Sequence, residues 1–93
     1  MSYNEAAAYE EEAERMKVSV VARSDRGFMR QYQAAVTVES MKSRPVAGYK
    51  NQTWGQRRAA FLARHISQYN KKPTRRRWLA MVMWAYKAAN PPA

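Results

Sequence analysis

The stretch NKKPTRRRWLAMVMWAY, residues 70–86, decides the fold prediction because it contains a helix break, a helix start and an apolar run. Residues 70–73 end in Pro73, which interrupts a helix arriving from the N-terminal side, and Thr74 is a residue type that caps a new helix. From Trp78 onward, apolar residues surround the whole helical wheel, which predicts a helix buried on most sides. We expect this helix to run to about residue 89, where NPP at residues 90–92 would end it.

Three consecutive arginines, Arg75, Arg76 and Arg77, occupy the first turn of this predicted helix. Unpaired backbone N–H groups and the helix dipole make the potential there positive, so each cation is unfavourable by a few tenths to about 1 kcal/mol. A bound anion would reverse the sign of that penalty. This pattern predicts that the arginines bind an anion supplied from outside the chain.

A second helix is predicted directly upstream. TWGQ at residues 53–56 has the pattern of a capping box, in which Thr53 is the N-cap and the side chain of Gln56 accepts from its backbone N–H. Helical periodicity then separates an apolar face from a polar one. The apolar face contains Trp54, Phe61, Leu62, His65, Ile66 and Tyr69, and the polar face contains Gln56, Arg57, Arg64 and Gln68.

The first half of the chain is predicted to form two further helices. Alanines, glutamates and a recurring apolar stripe favour helix at residues 5–23, with Ser2 or Asn4 as its cap. SDRG then interrupts the pattern, and a second helical pattern follows at residues 28–41. An alternative pairs KVSVVAR with QAAVTVE as a β-hairpin at about residues 17–38, because β-branched residues suit a strand equally well.

We therefore predict one all-α domain of three or four helices over residues 1–93. Its parts are an acidic or mixed N-terminal part at 1–41, a basic loop at 42–52, a basic helical pair resembling a helix-turn-helix at 53–89, and a tail at 90–93.

Charge is distributed unevenly along the chain. Residues 1–41 hold all seven acidic residues and five basic ones, whereas residues 42–93 hold twelve basic residues and no acidic ones. Such an excess usually indicates a polyanionic partner, of which nucleic acid is the commonest. We expect a cytoplasmic protein with no membrane partner, because the N-terminus lacks a secretory signal pattern and the apolar run at 78–86 is about half as long as a membrane-crossing helix.

Catalysis is not predicted, because six of the seven carboxylates precede Arg26 and the basic half holds only His65 as a proton acceptor at neutral pH. On an apolar helix face, His65 is more often a core or interface residue than a base or ligand. The absence of cysteine excludes thiolate metal sites, and no nucleotide-binding or zinc-protease motif is present. We expect no enzyme activity, no cofactor and no metal site.

The basic helical pair is the predicted binding site for DNA or RNA. We expect contacts to be mostly with phosphates, since the apolar second helix offers few side chains for base edges. The size and charge are typical of a small accessory or regulatory protein of phage or mobile-element type. The predicted contact residues are Arg57, Arg64, Gln68, Lys71, Lys72, Arg75, Arg76 and Arg77.

An alternative function is binding to a host protein, either a host enzyme or a larger assembly. Three tryptophans and six methionines are many for so short a chain, and exposed Trp and Met are typical of partner interfaces. Trp78, Met81 and Trp84 are the interface candidates, although the same stripe is more simply explained as core. A homodimer is also possible.

The acidic cluster of Glu10, Glu11, Glu12 and Glu14 has three interpretations. It could bind a metal or dock on the basic face of the chain itself, but a solvated face near a helix N-terminus, where acids are favourable, is preferred.

Overall fold

The computed structural model describes residues 1–35, 37–49, 51–89 and 92. Six α-helices lie within these ranges and no β-strand does, so the predicted all-α fold is confirmed and the described part of 17–38 forms no hairpin. Pro45 and Thr53 form an isolated β-bridge. The helices are α1 (Tyr3–Ala7), α2 (Glu10–Arg15), α3 (Phe28–Ala34), α4 (Val38–Lys42), α5 (Trp54–Lys71) and α6 (Arg75–Val82).

Both predicted helix starts in the second half are confirmed. The Thr53 hydroxyl accepts from the N–H of Gln56 at 3.2 Å, and Oε1 of Gln56 accepts from the N–H of Thr53 at 2.9 Å, which completes the capping box of α5. The Thr74 hydroxyl accepts from the N–H of Arg77 at 3.1 Å and caps α6. The two helices pack against each other across a short connection.

Helix α6 forms the centre of the core. Trp78 is 1% exposed and Leu79, Met81 and Val82 are 0% exposed, which confirms the prediction of a helix buried on most sides. Other parts of the chain supply the side chains that cover it. The largest of these are Phe28, Met29, Tyr32, Met41, Trp54, Leu62, Tyr69 and Trp84.

The end of α6 differs from the prediction, because the helix stops at Val82. Ala85 adopts the left-handed conformation, with a φ of 58°. Its N–H donates to the carbonyl of Val82 at 2.8 Å, and the N–H of Tyr86 donates to the carbonyl of Met81 at 3.1 Å, which are the two hydrogen bonds of a Schellman motif. The predicted stop at 90–92 lies outside the described residues apart from residue 92.

The prediction of one helix at 5–23 is wrong, because α2 already ends at Arg15. The terminating device is again a Schellman motif, built around Lys17 with a φ of 57°. The N–H of Lys17 donates to the carbonyl of Glu14 at 3.1 Å, and that of Val18 donates to Ala13 at 2.9 Å. An irregular segment follows and runs to the start of α3.

Capping decides the other boundaries in the first half. Ser2, one of the two predicted caps, forms a capping box with Glu5 at the start of α1. The predicted helix at 28–41 is divided because Ala35 is extended, with φ −94° and ψ 149°, and Thr37 then caps α4.

A close backbone contact fixes the irregular segment against α3. A Cβ atom on Gly27 would lie 2.2 Å from the carbonyl oxygen of Val21, so only glycine permits this approach. The N–H of Met29 donates to the carbonyl of Ala22 at 2.9 Å. These contacts position residues 18–22, which form one wall of the site described below.

Within the described part of the chain, no helix combines the length and the apolar character needed to cross a membrane.

Candidate functional site

The half-buried guanidinium of Arg75 is bonded to a carboxylate of the same chain. Its Nε and Nη2 atoms donate to the two carboxylate oxygens of Glu12, each at 2.8 Å. The same guanidinium lies 4.6 Å from the ring centroid of Trp78 and 5.7 Å from that of Tyr9. Hydrogen bonding to Arg75 lowers the pKa of Glu12 below its usual value. Of the three interpretations of the acidic cluster, docking on the chain's own arginines therefore holds for Glu12, and also for Glu10, which pairs with Arg30 at 3.1 Å.

Arg76 and Arg77 reach the carboxyl-terminal ends of neighbouring helices. Nη1 of Arg76 donates to the carbonyl of Met16 at 2.6 Å, just beyond α2, and Nη1 of Arg77 donates to the carbonyl of Lys72 at 2.8 Å, just beyond α5. Carbonyls at helix ends lack intrahelical partners and carry partial negative charge, so a cation is favourable there. The positive potential at the start of α6 is therefore offset within the chain, because Arg75 bonds to a carboxylate and Arg76 and Arg77 bond to carbonyls at helix ends. Binding of an anion from outside the chain stays a prediction.

Two adjoining clefts run along one face of α5 and share Ser19 and Phe61; together they are called the groove below. The first cleft has a volume of about 500 Å³ and the second about 380 Å³. Residues 18–22 form the wall opposite α5. The α5 residues that line the groove are Arg57, Ala60, Phe61, Arg64, His65 and Gln68.

The helical repeat explains this lining, because these positions recur at intervals of three or four residues and share one face. From Arg57 to Gln68 the face extends for about 16 Å, at the rise of an α-helix. The predicted polar stripe of Arg57, Arg64 and Gln68 is therefore continuous in space.

Arginine side chains hold the opposite wall in place. Besides the contact of Arg76 with the carbonyl of Met16, the Nε of Arg23 donates to the carbonyl of Val18 at 2.9 Å. Both bonds satisfy backbone acceptors in a segment without regular structure. Arg76 also lines the second cleft, so it both positions the wall and presents charge to the groove.

The first cleft is lined by the large apolar side chains that are exposed in the described part of the chain. Val20, Val21 and Tyr49 are 61%, 69% and 55% exposed, and they are the large apolar residues left exposed in the described ranges. All three line this cleft. The guanidinium of Arg57 lies 4.7 Å from the ring centroid of Tyr49, so this cation stacks on an aromatic ring of the first cleft.

The charge of the groove has one sign. Arg57 and Arg64 line the first cleft and Arg76 and Arg77 the second, and no Asp or Glu of the described residues lines either one. Lys71 and Lys72 are exposed at the end of α5, beyond Gln68. Within the described structure, the side chains of Arg64, Lys71 and Lys72 form no ion pair.

Three stacked aromatic rings line the groove. The ring centroids of Phe61 and His65 are 3.8 Å apart, and those of Phe61 and Trp84 are 4.8 Å apart, with interplanar angles of 17° and 21°. Burial, followed by the nearby charge of Arg64, lowers the pKa of His65. The neutral form of His65 is therefore favoured, and its ring packs as an aromatic one.

The structure brings most of the predicted contact residues together. Five of them line the groove, namely Arg57, Arg64, Gln68, Arg76 and Arg77. Two more, Lys71 and Lys72, are exposed at the end of α5, beyond Gln68. Arg75 lies apart, on the side of α6 that faces α2, and its guanidinium is already bonded to Glu12. The three residues of the alternative partner interface, Trp78, Met81 and Trp84, are 1%, 0% and 6% exposed, so they form core and offer no accessible patch on this chain.

Sequence reasoning missed the apolar wall and one half-buried arginine. Nothing in the spacing of Val20, Val21 and Tyr49 indicates a common cleft, because they come from separate irregular segments. Arg58 donates from Nε to the carbonyl of Trp84 at 2.7 Å and from Nη2 to that of Ala85 at 3.0 Å. Burial lowers the pKa of Arg58, and no local sequence pattern marks it as structural.

A helix-turn-helix arrangement is not confirmed for α5 and α6. The first turn of α6 would have to be free to enter a major groove, whereas Arg75 at that turn is bonded to α2. Comparisons of the chain with models of protein families, with curated proteins and with solved structures gave no match.

Proposed function

We propose that the protein is a non-enzymatic nucleic-acid-binding protein that contacts the phosphates of DNA or RNA through the groove along α5. The observation that supports this proposal most is the juxtaposition of Arg57, Arg64, Arg76 and Arg77 along a groove that no carboxylate of the described residues lines. No carboxylate of the described residues balances these cations inside the groove, and closely spaced phosphates would do so.

The contacts already made inside the chain suggest different roles for the cations. Arg64, Lys71 and Lys72 are exposed and can turn toward phosphates at little cost to the fold. Arg77 donates to backbone carbonyls through Nη1 alone, which leaves the other guanidinium donors for a ligand. Arg75 would join the interface only if a phosphate replaced the carboxylate of Glu12.

Salt dependence of binding tests the proposal directly. If about six phosphates are neutralised, the logarithm of the association constant should fall against the logarithm of salt concentration with a slope of about −4 to −5. Fluorescence anisotropy of a labelled oligonucleotide, repeated over a salt series, measures this slope. A slope flatter than about −2 would contradict binding dominated by phosphates.

A charge-matched pair of variants locates the interface. The triple variant Arg64→Ala, Lys71→Ala, Lys72→Ala removes three cations that form no ion pair in the described structure. The control Arg15→Ala, Lys42→Ala, Lys87→Ala removes the same charge from positions that do not line the groove. We expect a much larger loss of affinity, and a flatter salt slope, in the first variant than in the control. Equal losses would mean that net charge, and not the groove, governs binding.

A role as a small cytoplasmic accessory or regulatory protein of a phage or mobile element fits this proposal, and it is suggested by size and charge.

A second candidate function, binding of a host protein, is favoured by one observation. Val20, Val21 and Tyr49 form an exposed apolar patch in the first cleft, which replaces the buried Trp78, Met81 and Trp84 as a contact surface. Substitution at the patch, and not at the cations, would then impair the interaction more.

A further inference from the structure

We infer that the groove takes a single strand of nucleic acid with unpaired bases, and not a duplex. This inference rests on the proposed function and narrows its ligand to one class. It starts from the coincidence that Val20, Val21 and Tyr49, the large apolar side chains left exposed in the described part of the chain, all line the same cleft as Arg57 and Arg64.

An exposed apolar side chain gains little from a phosphate, because covering the side chain also removes water from the charged group, and that desolvation costs free energy. A duplex presents mainly phosphates and sugars to a cleft of this kind and keeps the faces of its bases stacked inside. Unpaired bases instead offer flat apolar faces. Base stacking on aromatic rings and on arginine is the common mode of single-strand binding, and the Tyr49 ring with the Arg57 guanidinium above it supplies both partners.

The arrangement of charge fits a strand that follows α5. The face of α5 that lines the groove extends for about 16 Å from Arg57 to Gln68. Its cations, Arg57 and Arg64, are followed by Arg76 and Arg77 in the second cleft, and Lys71 and Lys72 are exposed at the end of the helix. A regularly charged backbone can therefore lie along the cations while its bases turn toward Val20, Val21 and Tyr49. Since stacking accepts every base, sequence preference is expected to be weak.

An acidic peptide with apolar residues could satisfy the same chemistry over the first cleft. The groove favours the nucleic acid because its cations extend into the second cleft and beyond, where no exposed large apolar residue accompanies them in the described structure. A ligand with charge along its whole length uses that extension. The peptide is kept as a competing outcome of the test.

The experiment compares one labelled oligothymidylate of about twelve nucleotides, a length within the range covered by single-strand binding domains, with a duplex of the same length. Both are titrated with the whole protein and with the variants Tyr49→Ser and Val21→Ser. Tyr49 and Val21 are exposed, so neither change removes core packing, and circular dichroism checks that each variant is folded. We expect single-strand affinity to fall about ten-fold or more in Tyr49→Ser, in line with the loss of one stacked base. Duplex affinity should change less than about two-fold.

Each outcome decides the question. Tighter binding of the single strand, with a loss confined to that ligand in both variants, supports the inference. Equal, salt-dependent binding of single strand and duplex, unaffected by the variants, overturns it and leaves the proposed function standing. Binding of neither oligonucleotide overturns both. Binding of a synthetic peptide of alternating leucine and glutamate, with loss in Tyr49→Ser and no response to the oligothymidylate, assigns the groove to a protein partner and overturns both as well.

Discussion

Glu12 and Arg75 are 63 residues apart in the sequence, yet two hydrogen bonds of 2.8 Å join the carboxylate to the guanidinium. Their side chains are 28% and 37% exposed, so the pair lies at the boundary between core and solvent. A bidentate geometry of this kind fixes the orientation of both partners. The contact docks α2 on the start of α6 and relieves the unfavourable position of Arg75 at a helix N-terminus.

Replacing Glu12 by Gln should reduce the free energy of unfolding by about 0.5–1 kcal/mol, because the pair is bidentate but partly screened by solvent. Glu11→Gln is the matched control, since both acids lie in the first turn of α2 and both changes remove one charge. Among the described residues, Glu11 pairs only with the exposed Arg15, and its substitution should cost clearly less. Urea denaturation measures both values. Similar losses in the two variants would show that the helix dipole, and not Arg75, explains the effect.

The Glu12 contact also predicts how stability depends on pH. Hydrogen bonding to Arg75 lowers the pKa of Glu12 from its usual value of 4.5 in the folded protein. The stability that the Glu12–Arg75 contact contributes is therefore complete above pH 4.5, and it is lost as the pH falls through the lower pKa of Glu12 in the folded protein. We expect the wild-type protein to lose more stability than Glu12→Gln over this acidic range, as measured by thermal denaturation at a series of pH values. Parallel curves for the two proteins would contradict this assignment.

The left-handed residue that ends α2 offers a stabilising substitution. Lys17 has a φ of 57° and is exposed, and an L-residue in this conformation is disfavoured by roughly 1–2 kcal/mol relative to its usual one. Lys17→Gly should raise the free energy of unfolding by about 0.5–1 kcal/mol, after allowance for the greater freedom of glycine in the unfolded chain. Glu14→Gly, within α2, should instead lower it by about 1 kcal/mol. A loss of stability in Lys17→Gly would mean that the motif does not persist in solution.

Arg58 should contribute more to stability than any other cation of α5. Arg58→Ala leaves the carbonyls of Trp84 and Ala85 without their donor, which should cost about 1.5–3 kcal/mol. Arg58→Lys keeps the charge but not the planar fork, so it should recover only part of the loss. The control Arg64→Ala, on the exposed face of the same helix, should change stability by no more than about 0.5 kcal/mol. Chemical denaturation that ranks the two alanine variants equally would exclude a structural role for Arg58.

The starts of α5 and α6 were predictable from the sequence because their signals are local, whereas the starts of α2 and α4 lie inside longer predicted helices. Thr53 with Gln56, and Thr74 at the start of α6, form the caps that their residue types favour. The ends of α2 and α6 were not predictable, because both helices end in Schellman motifs whose left-handed residues are Lys17 and Ala85. Glycine usually marks that position, and its absence makes a sequence pattern overrun the true boundary.

The candidate site was predictable on one side only. Helical periodicity placed Arg57, Arg64 and Gln68 on one face, since that relation depends on α5 alone. The opposite wall, with Val20 and Val21, depends on contacts between residues far apart in the chain. For the same reason, the sequence did not show that the first-turn arginines also bond within the chain, because their acceptors, Glu12 and the carbonyls of Met16 and Lys72, come from other stretches of the chain.

The arginine run at the start of α6 determines which parts of the chain are expected to unfold together. Arg75 bonds to α2, Arg76 to the carbonyl of Met16 after α2, and Arg77 to the carbonyl of Lys72 after α5. One helical turn thus ties three stretches of chain to each other. Amide protons of α2 and α6 are therefore expected to exchange with solvent at a common rate, as one cooperative unit.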